Sequence, residues 1–312
     1  MNSSQADRPG SIAVNADNTR AIAGAVFWLI LLAIWQPKVA DAFLLLGPLV
    51  IVPLGLRRLM ALSTQQRDCA IFHTGRILQF PAAIVFSAGW MVDSEMARKW
   101  CAIPWTIVTS LFAFSAVRII ARRRHMTVSE FIQCAAMLFI AVGGGWALFY
   151  RIEYRPFDFP IGIVKLTAIH FHYAGFALPV IAAEILDSEP VDLSLAIGLS
   201  ITLGIPLVAL GITYSPVIEL IGAVVLALGC LRLSFAIFGA AKQTTPGLAA
   251  LLLRIAAVSL FCSMLLAIVY AVGEYRQSLW IGIYAMVRSH GPLNAIGFSL
   301  CGLCGLSLRN RT

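Results

Sequence analysis

The chain has 312 residues, of which 60% are hydrophobic and only 12% are charged, and its mean hydropathy is +0.86. A water-soluble protein of this length needs about twice that share of charged residues to cover its surface, so the composition excludes an ordinary soluble domain. The net charge of +8 would suggest nucleic-acid binding in a soluble protein, but in a membrane protein it first reflects topology. We therefore expect membrane lipid around the chain and no nucleic-acid partner.

Residues 1–20 are polar and lack helical periodicity, which predicts a disordered cytoplasmic tail. Residues 21–308 then form a single transmembrane helical domain, and 309–312 a cytoplasmic C-terminal end. A secretory signal with a cleavage site near residues 39–42 is the alternative, but the long polar leader favours an uncleaved first helix.

The apolar stretches of the domain are long enough for about ten membrane spans, since a helix needs about 20 apolar residues to cross the bilayer core. The predicted spans are approximately 21–36, 40–56, 77–92, 100–120, 128–149, 160–183, 194–212, 216–239, 247–273 and 291–308. Lipid offers backbone N–H and C=O groups no partner, so these spans must be helices. The expected fold class is therefore an all-α, polytopic transmembrane helix bundle.

The distribution of Lys and Arg indicates the orientation of the bundle. With the N-terminus inside and ten spans, 15 of the 23 basic residues fall on the inner side, which favours two cytoplasmic termini. The basic run at 122–124 then serves as a topology anchor near anionic lipid. The connection after the sixth span departs from this pattern, because it falls inside and carries Glu184, Asp187, Glu189 and Asp192. Acidic residues count little in the rule, so the orientation is kept.

The small residues inside the spans indicate close helix contacts. Residues 143–145 are three consecutive glycines in the fifth span, and Gly302 and Gly305 lie in the tenth. Cys301 and Cys304 form a CxxC in the same span, but no second pair and no electropositive neighbour supports a thiolate. Helix packing is the favoured interpretation of this pair, over a redox or metal role.

The sixth span carries ionisable groups in the outer half of an apolar helix, where each is a candidate for function. They are Lys165, His170 and His172, followed by Tyr173. At about 100° per residue, Lys165 and His172 share one face of the helix, whereas His170 and His172 diverge by about 200°. An ideal helix therefore cannot present both histidines to one metal ion. The alternative to a functional site is a histidine bonded to a neighbouring helix for packing.

The last apolar stretch, 278–308, is too long for one upright helix and too short for two. The run from Arg288 through His290 to Gly291 and Pro292 predicts a broken or re-entrant segment before the last span, because Pro suits the first turn of a helix. His290 and Asn294, four residues apart, would share a helical face. An interfacial helix at the headgroup layer is the alternative.

All these groups map to the outer half of the bilayer, together with Glu219 at the outer end of the eighth span. We predict catalytic roles for His172, His290 and Glu219, by acid–base chemistry near neutral pH. The predicted substrate-binding residues are Lys165, His170, Tyr173, Asn294 and Arg288. Three histidines and a carboxylate could also bind zinc, but the divergent histidine faces lead us to expect no metal, and we expect no cofactor.

The segments 170–176 (His-Phe-His-Tyr-Ala-Gly-Phe) and 290–298 (His-Gly-Pro-Leu-Asn-Ala-Ile-Gly-Phe) resemble the YndJ-like family of bacterial integral membrane proteins. The resemblance implies a multi-span bacterial membrane protein, expected in the inner (cytoplasmic) membrane, and implies no particular activity. No HExxH, Walker-type or haem-attachment motif adds one.

The leading functional hypothesis is an outward-facing polar pocket between the sixth and tenth spans, which binds a lipid-soluble or small polar molecule and acts on it by acid–base chemistry. A proton-coupled small-molecule transporter and a non-catalytic protein with structural histidines are the alternatives.

Overall fold

The computed structural model of the chain describes residues 9–63, 69–278 and 280–309. Within these ranges the ordered elements are helices, and no strand occurs, which confirms the expected all-α transmembrane bundle. Residues 1–8 of the predicted tail and residues 310–312 of the predicted C-terminal end lie outside the described residues.

Ten long helices make up the described part of the bundle. They are α1 (Pro9–Trp35), α2 (Val39–Leu56), α3 (Cys69–Ala88), α4 (Ile103–Arg122), α5 (Val128–Arg151), α6 (Ile161–Leu186), α7 (Val191–Tyr214), α8 (Pro216–Gln243), α9 (Leu248–Tyr275) and α10 (Ile283–Arg309). A short helix, Glu95–Trp100, precedes α4, and 3₁₀ turns occupy Arg58–Ser63 and Pro156–Asp158. Nine stretches of the described chain are long and apolar enough to cross a membrane, and α3, with 20 residues, is the less apolar tenth helix.

The helix α1 begins within the predicted tail, so the expectation of disorder through residue 20 is wrong from Pro9 onward. Asp17 is only 1% exposed, and the Nε atom of Arg76 on α3 lies 2.8 Å from its carboxylate. Arg20 lies 3.1 Å from the same carboxylate. These ion pairs let a polar sequence continue as helix, because each buried charge has a partner.

The loops between the long helices gather at two opposite sides of the bundle. We call the outer side the one that carries loops 36–38, 89–94, 152–160 and 276–282. Trp35, the last residue of α1, and Trp90, in loop 89–94, place their ring centroids 6.2 Å apart. On the opposite, inner side, Arg123 donates to the carbonyl of Leu62 at 2.9 Å. The alternation of loops between the two sides agrees with an up-and-down path of ten helices. Which side faces the cytoplasm stays a prediction.

The acidic connection after α6 has a basic partner on the inner side. Arg58 is buried and its Nη1 lies 2.8 Å from Oε1 of Glu184, while its Nη2 donates to Ser307 at 3.4 Å. Burial lowers the pKa of the Arg58 guanidinium from its ordinary value, and the Glu184 carboxylate opposes that shift. Glu184, one of the four carboxylates that departed from the expected charge pattern, is thus neutralised by a bridge between α6 and the 3₁₀ turn after α2.

Within the described residues, three π-helical sections interrupt the long helices and contact one another in the interior. They are Gly47–Ile51 in α2, Tyr173–Ala177 in α6 and Leu293–Leu300 in α10. Each has a proline inside it or within two residues, and proline cannot donate the backbone hydrogen bond of a regular helix. Side chains bind the neighbouring carbonyls: Tyr173 donates to Phe43 O at 2.8 Å and Gln79 to Pro48 O at 2.7 Å.

The π-helical section of α10 stands where the sequence predicts a broken or re-entrant segment. The backbone stays helical from Ile283 through Pro292 and on to Arg309, so Pro292 lies inside a helix instead of starting one. Widening of the turns after Pro292 accommodates its missing N–H without a break. As a result α10 starts eight residues earlier than the predicted span.

Candidate active site

His172 lies in the protein interior and is fully buried. The indole Nε1–H of Trp105 on α4 donates to its Nε2 at 3.0 Å, and its Nδ1 lies 2.7 Å from the carbonyl oxygen of Ala168. The indole can only donate and the carbonyl can only accept, so the imidazole is neutral with its proton on Nδ1. Both ring nitrogens are therefore occupied by the protein itself.

Two glycines allow the neighbouring helices to close around this imidazole. A Cβ atom on Gly47 of α2 would lie 3.1 Å from the Cβ of His172, and one on Gly143 of α5 would lie 3.1 Å from its Nδ1. Gly144 packs against Thr109, whereas Gly145 faces open space. Two of the three consecutive glycines thus serve the close helix contacts that the sequence predicts.

Lys165 occupies the same face of α6 as His172 and also contacts α2. Its Nζ lies 2.9 Å from Oδ1 of Asp41, which is 6% exposed, and 4.9 Å from the ring centroid of Tyr150. Tyr150 donates to the same carboxylate oxygen at 3.4 Å. This ion pair ties α2 to α6, and Lys165 is engaged in it.

A cavity of about 260 Å³ lies between α6, α8, α9 and α10, with further contacts from α2 and α7. Its walls are apolar except at a few positions. The polar lining residues are His170, Tyr173, Glu219, Tyr270, His290 and Asn294, with Cys230. Neither His172 nor Lys165 nor Arg288 lines it. His170 and His172 thus point to opposite sides of α6, as their 200° divergence predicts.

The cavity extends from near the outer side of the bundle to the middle of the helices. Glu219 is three residues from the outer end of α8, or about 4 to 5 Å at 1.5 Å per residue. Ser263, which contacts His290, is twelve residues from the outer end of α9, or about 18 Å. Because α10 starts at Ile283, His290 lies inside the bundle and not at its surface.

A hydrogen-bond network holds His290 and Asn294 at this inner end. Nδ2 of Asn294 lies 2.8 Å from Nε2 of His290, 2.6 Å from Oγ of Ser263 and 3.2 Å from the carbonyl oxygen of His290. His290 Nδ1 lies 3.0 Å from both Oγ and the carbonyl oxygen of Ser263. Both carbonyls can only accept, so Asn294 donates through Nδ2 and His290 carries its proton on Nδ1. The Oδ1 atom of Asn294 has no hydrogen-bond partner among the described residues.

Two further groups of the cavity lack a hydrogen-bond partner among the described residues. His170 is exposed, and its imidazole nitrogens make no hydrogen bond. Glu219 is half-buried and forms neither a hydrogen bond nor an ion pair. The hydroxyl of Tyr173, by contrast, already donates a hydrogen bond to the carbonyl oxygen of Phe43. The groups available to a ligand thus include the imidazole of His170, the amide oxygen of Asn294 and the carboxyl of Glu219.

The structure brings together five of the eight predicted site residues: His170, Tyr173, Glu219, His290 and Asn294. The prediction that His172 and His290 act together in one pocket between the sixth and tenth spans is wrong, because His172 faces α2, α4 and α5 instead. Arg288 is exposed outside the cavity.

Three residues that matter to these predicted groups were missed: Asp41, Trp105 and Ser263. A lone acid in the second span and a lone base in the sixth could have suggested Asp41, since such charges pair within a bilayer.

Within the described ranges, no group of three His, Cys, Asp or Glu side chains could hold a metal ion.

Comparison with known proteins matches residues 42–298 to the model of the family described as YndJ-like protein. The chain belongs to the YndJ-like family. It is 27% identical over 270 residues to a protein of Bacillus subtilis (strain 168) called uncharacterized membrane protein YndJ. The match covers 86% of the chain and 48% of that relative, so the chain spans about half the length of this curated protein. No solved structure matches. The YndJ-like resemblance of the segments at 170–176 and 290–298 is therefore confirmed.

Proposed function

We propose that the protein binds one lipid-soluble molecule with a polar group in the cavity between α6 and α10 and exchanges a proton with it as a membrane enzyme. The observation that carries the proposal is an apolar-walled cavity of about 260 Å³ into which an imidazole without a hydrogen-bond partner, that of His170, is exposed. Ligand sites are concave and mostly apolar, with a few polar groups that orient the bound molecule.

Each polar group of the cavity takes a distinct role in this proposal. His170 is the general acid or base, because its ring nitrogens are free to meet a substrate and a neutral imidazole has one nitrogen that accepts a proton and one that donates it. Asn294 presents its free Oδ1 to a donor group of the substrate. His290 and Ser263 hold Asn294 in that orientation, so they are positioning residues. His172 keeps the structural role that its two internal hydrogen bonds support.

The proposal is tested by identifying what the purified protein carries. Organic extraction and mass spectrometry of the wild type should yield a co-purifying amphiphile in near-stoichiometric amount. The Ala223→Trp variant fills the cavity and should lose the amphiphile, whereas Ala196→Trp, on an exposed face of α7, should retain it. Equal retention in both variants would refute binding in the cavity.

Acid–base chemistry requires a second measurement. Once the amphiphile is known, wild-type protein should convert it or its precursor, and His170→Gln should lower the rate by about 10²-fold or more, as expected for a lost general acid or base. His125→Gln, an exposed histidine near the inner side, is the matched control and should keep the wild-type rate. A His170→Gln variant with the wild-type rate would remove the enzyme role and leave binding only.

Proton-coupled transport is the second candidate. It is favoured by the position of the cavity, which reaches from one side to the middle of the bundle, and by the π-helical sections beside it, since carriers place their sites at mid-membrane next to irregular helices. A transporter predicts counterflow of the amphiphile in proteoliposomes without chemical change. An enzyme predicts conversion without counterflow.

We further propose that the protein resides in the bacterial inner membrane with both termini cytoplasmic, which makes the cavity outward-facing. The support is the excess of Lys and Arg on the inner side and the even number of long helices in the part of the chain that the structure describes.

A further inference from the structure

The charge of the cavity indicates the class of molecule that it accepts. Among the described residues that line the cavity, Glu219 is the one with an acidic side chain, and none is Lys or Arg. Glu274, one turn beyond Tyr270, lies at the outer end of α9, on the same side of the bundle as Glu219 at the outer end of α8. A second carboxylate therefore adds to the negative potential at this end of the cavity.

Five basic residues lie within five positions of a lining residue, and none of them is in the lining: Lys38, Lys165, Arg232, Arg276 and Arg288. Lys165 pairs with Asp41, and Arg288 is exposed outside the cavity. Arg276 lies over the ring of Trp280, with 5.7 Å between the guanidinium carbon and the ring centroid. None of them supplies a positive charge to the cavity lining, so a bound fatty acid or phosphate would meet the Glu219 carboxylate without a cation to offset it.

The free polar groups of the cavity also favour a hydrogen-bond donor as ligand. The carboxyl of Glu219 and Oδ1 of Asn294 have no partner among the described residues, and ionised carboxylates and amide oxygens only accept hydrogen bonds. The third free group, the neutral imidazole of His170, has one accepting and one donating nitrogen and so can also accept from an amine. An alkylammonium group carries up to three donors and a positive charge, which satisfies a carboxylate within apolar walls. A carboxylate or phosphate head group carries a negative charge and mainly accepts hydrogen bonds, so it does not match the two acceptor groups of Glu219 and Asn294.

We infer that the ligand is a lipophilic amine, bound with its ammonium group at Glu219 and its apolar chain along the apolar walls of the cavity. The inference rests on the proposed binding function and names its substrate class. A cavity of about 260 Å³ corresponds to roughly nine water volumes of about 30 Å³ each, so a chain of about eight carbons fits it.

The test compares three probes of equal length that differ in the head group: octylamine, octanol and octanoate. A diazirine-bearing alkylamine is photo-crosslinked to the full-length protein in nanodiscs, and the modified peptides are identified by mass spectrometry. Crosslinks should fall on the cavity-lining parts of α8, α9 and α10. Octylamine should compete at least tenfold better than octanol, and octanoate least, because a hydrogen bond to a charged group contributes more than about 1.4 kcal/mol.

Variants assign the preference to one carboxyl group. Glu219→Gln should reduce the affinity for octylamine about tenfold and leave that for octanol nearly unchanged, and Glu274→Gln should have a smaller effect of the same sign. Glu95→Gln, an exposed carboxylate outside the cavity, is the matched control and should change neither.

The outcomes separate this inference from the proposed function. Equal competition by octylamine and octanol, or a preference for octanoate, would overturn the amine class while the cavity remains a binding site. Crosslinks that none of the three probes suppresses, or that avoid the cavity lining, would overturn both. An octylamine preference that survives Glu219→Gln would overturn the assignment to this carboxyl.

Discussion

Replacement of Trp105 by Phe should destabilise the bundle, because Trp105 holds the fully buried His172. The substitution keeps an aromatic ring but removes the indole N–H that lies 3.0 Å from His172 Nε2. Hydrogen bonds between transmembrane helices contribute about 0.6 kcal/mol on average and up to about 1.7 kcal/mol. A buried nitrogen left without a donor belongs at the upper end of that range. With about 1 kcal/mol for the smaller ring, we expect a total loss of about 2 to 3 kcal/mol.

The loss can be measured from the opening of the protein in mixed micelles. Cys134 on α5 is fully buried, so its alkylation along an SDS titration, followed by peptide mass spectrometry, reports the fraction unfolded. Trp146→Phe is the matched control, because Trp146 is half-buried and its indole nitrogen has no hydrogen-bond partner among the described residues. We expect that variant to lose less than about 1 kcal/mol.

A double-mutant cycle with His172→Phe isolates the pair itself. The coupling free energy between Trp105 and His172 should be about 1 kcal/mol or more. If Trp105→Phe unfolds no more easily than Trp146→Phe and the coupling is below about 0.3 kcal/mol, the structural role assigned to His172 is wrong, and the predicted catalytic role of His172 returns.

Three further predictions concern the ion pair, the topology and the metal content. Lys165→Met should lower folded yield by leaving the buried Asp41 unpaired, a change that costs about 3 to 5 kcal/mol, and adding Asp41→Asn should restore part of it; a folded yield equal to wild type would contradict the pairing. A reporter fused after Thr312 should behave as cytoplasmic and one inserted in loop 155–158 as external, and an external C-terminus would overturn the even helix count. Elemental analysis of the purified protein should show no stoichiometric zinc or iron; one metal per chain that is lost in His170→Ala would contradict this.

The positions of the long helices could be predicted from the sequence because the length of an apolar stretch decides whether it crosses a bilayer. The errors occur where polar residues belong to a helix. The first part of α10 carries Arg288 and His290, and the first part of α1 carries Asp17. The sequence alone therefore predicts a loop or a tail at both places. Their helical state depends on partners from other helices, such as Ser263 for His290 and Arg76 for Asp17. The separation of two residues along the sequence does not indicate whether they will pair between helices.

The candidate site could be predicted only in part for the same reason. Helical periodicity correctly separates His170 from His172 and places Lys165 with His172. It does not tell which of these two faces borders a cavity and which borders other helices. That choice depends on the small side chains of Gly47 and Gly143, which let α2 and α5 close over His172. The same glycines could not be assigned to His172 without the helix arrangement.

The π-helical section at Tyr173–Ala177 acts as a one-residue insertion in α6. Relative to an uninterrupted α-helix, one additional residue turns everything that follows by about 100° around the axis. Deletion of a single residue from this section would therefore rotate the inner half of α6 relative to its neighbours. Glu184 would then no longer reach the guanidinium of Arg58. His170 precedes the section, so its contact with the cavity would not be altered directly. In an alignment of YndJ-like sequences, a one-residue gap at 173–177 would thus mark a relative whose inner half is packed differently.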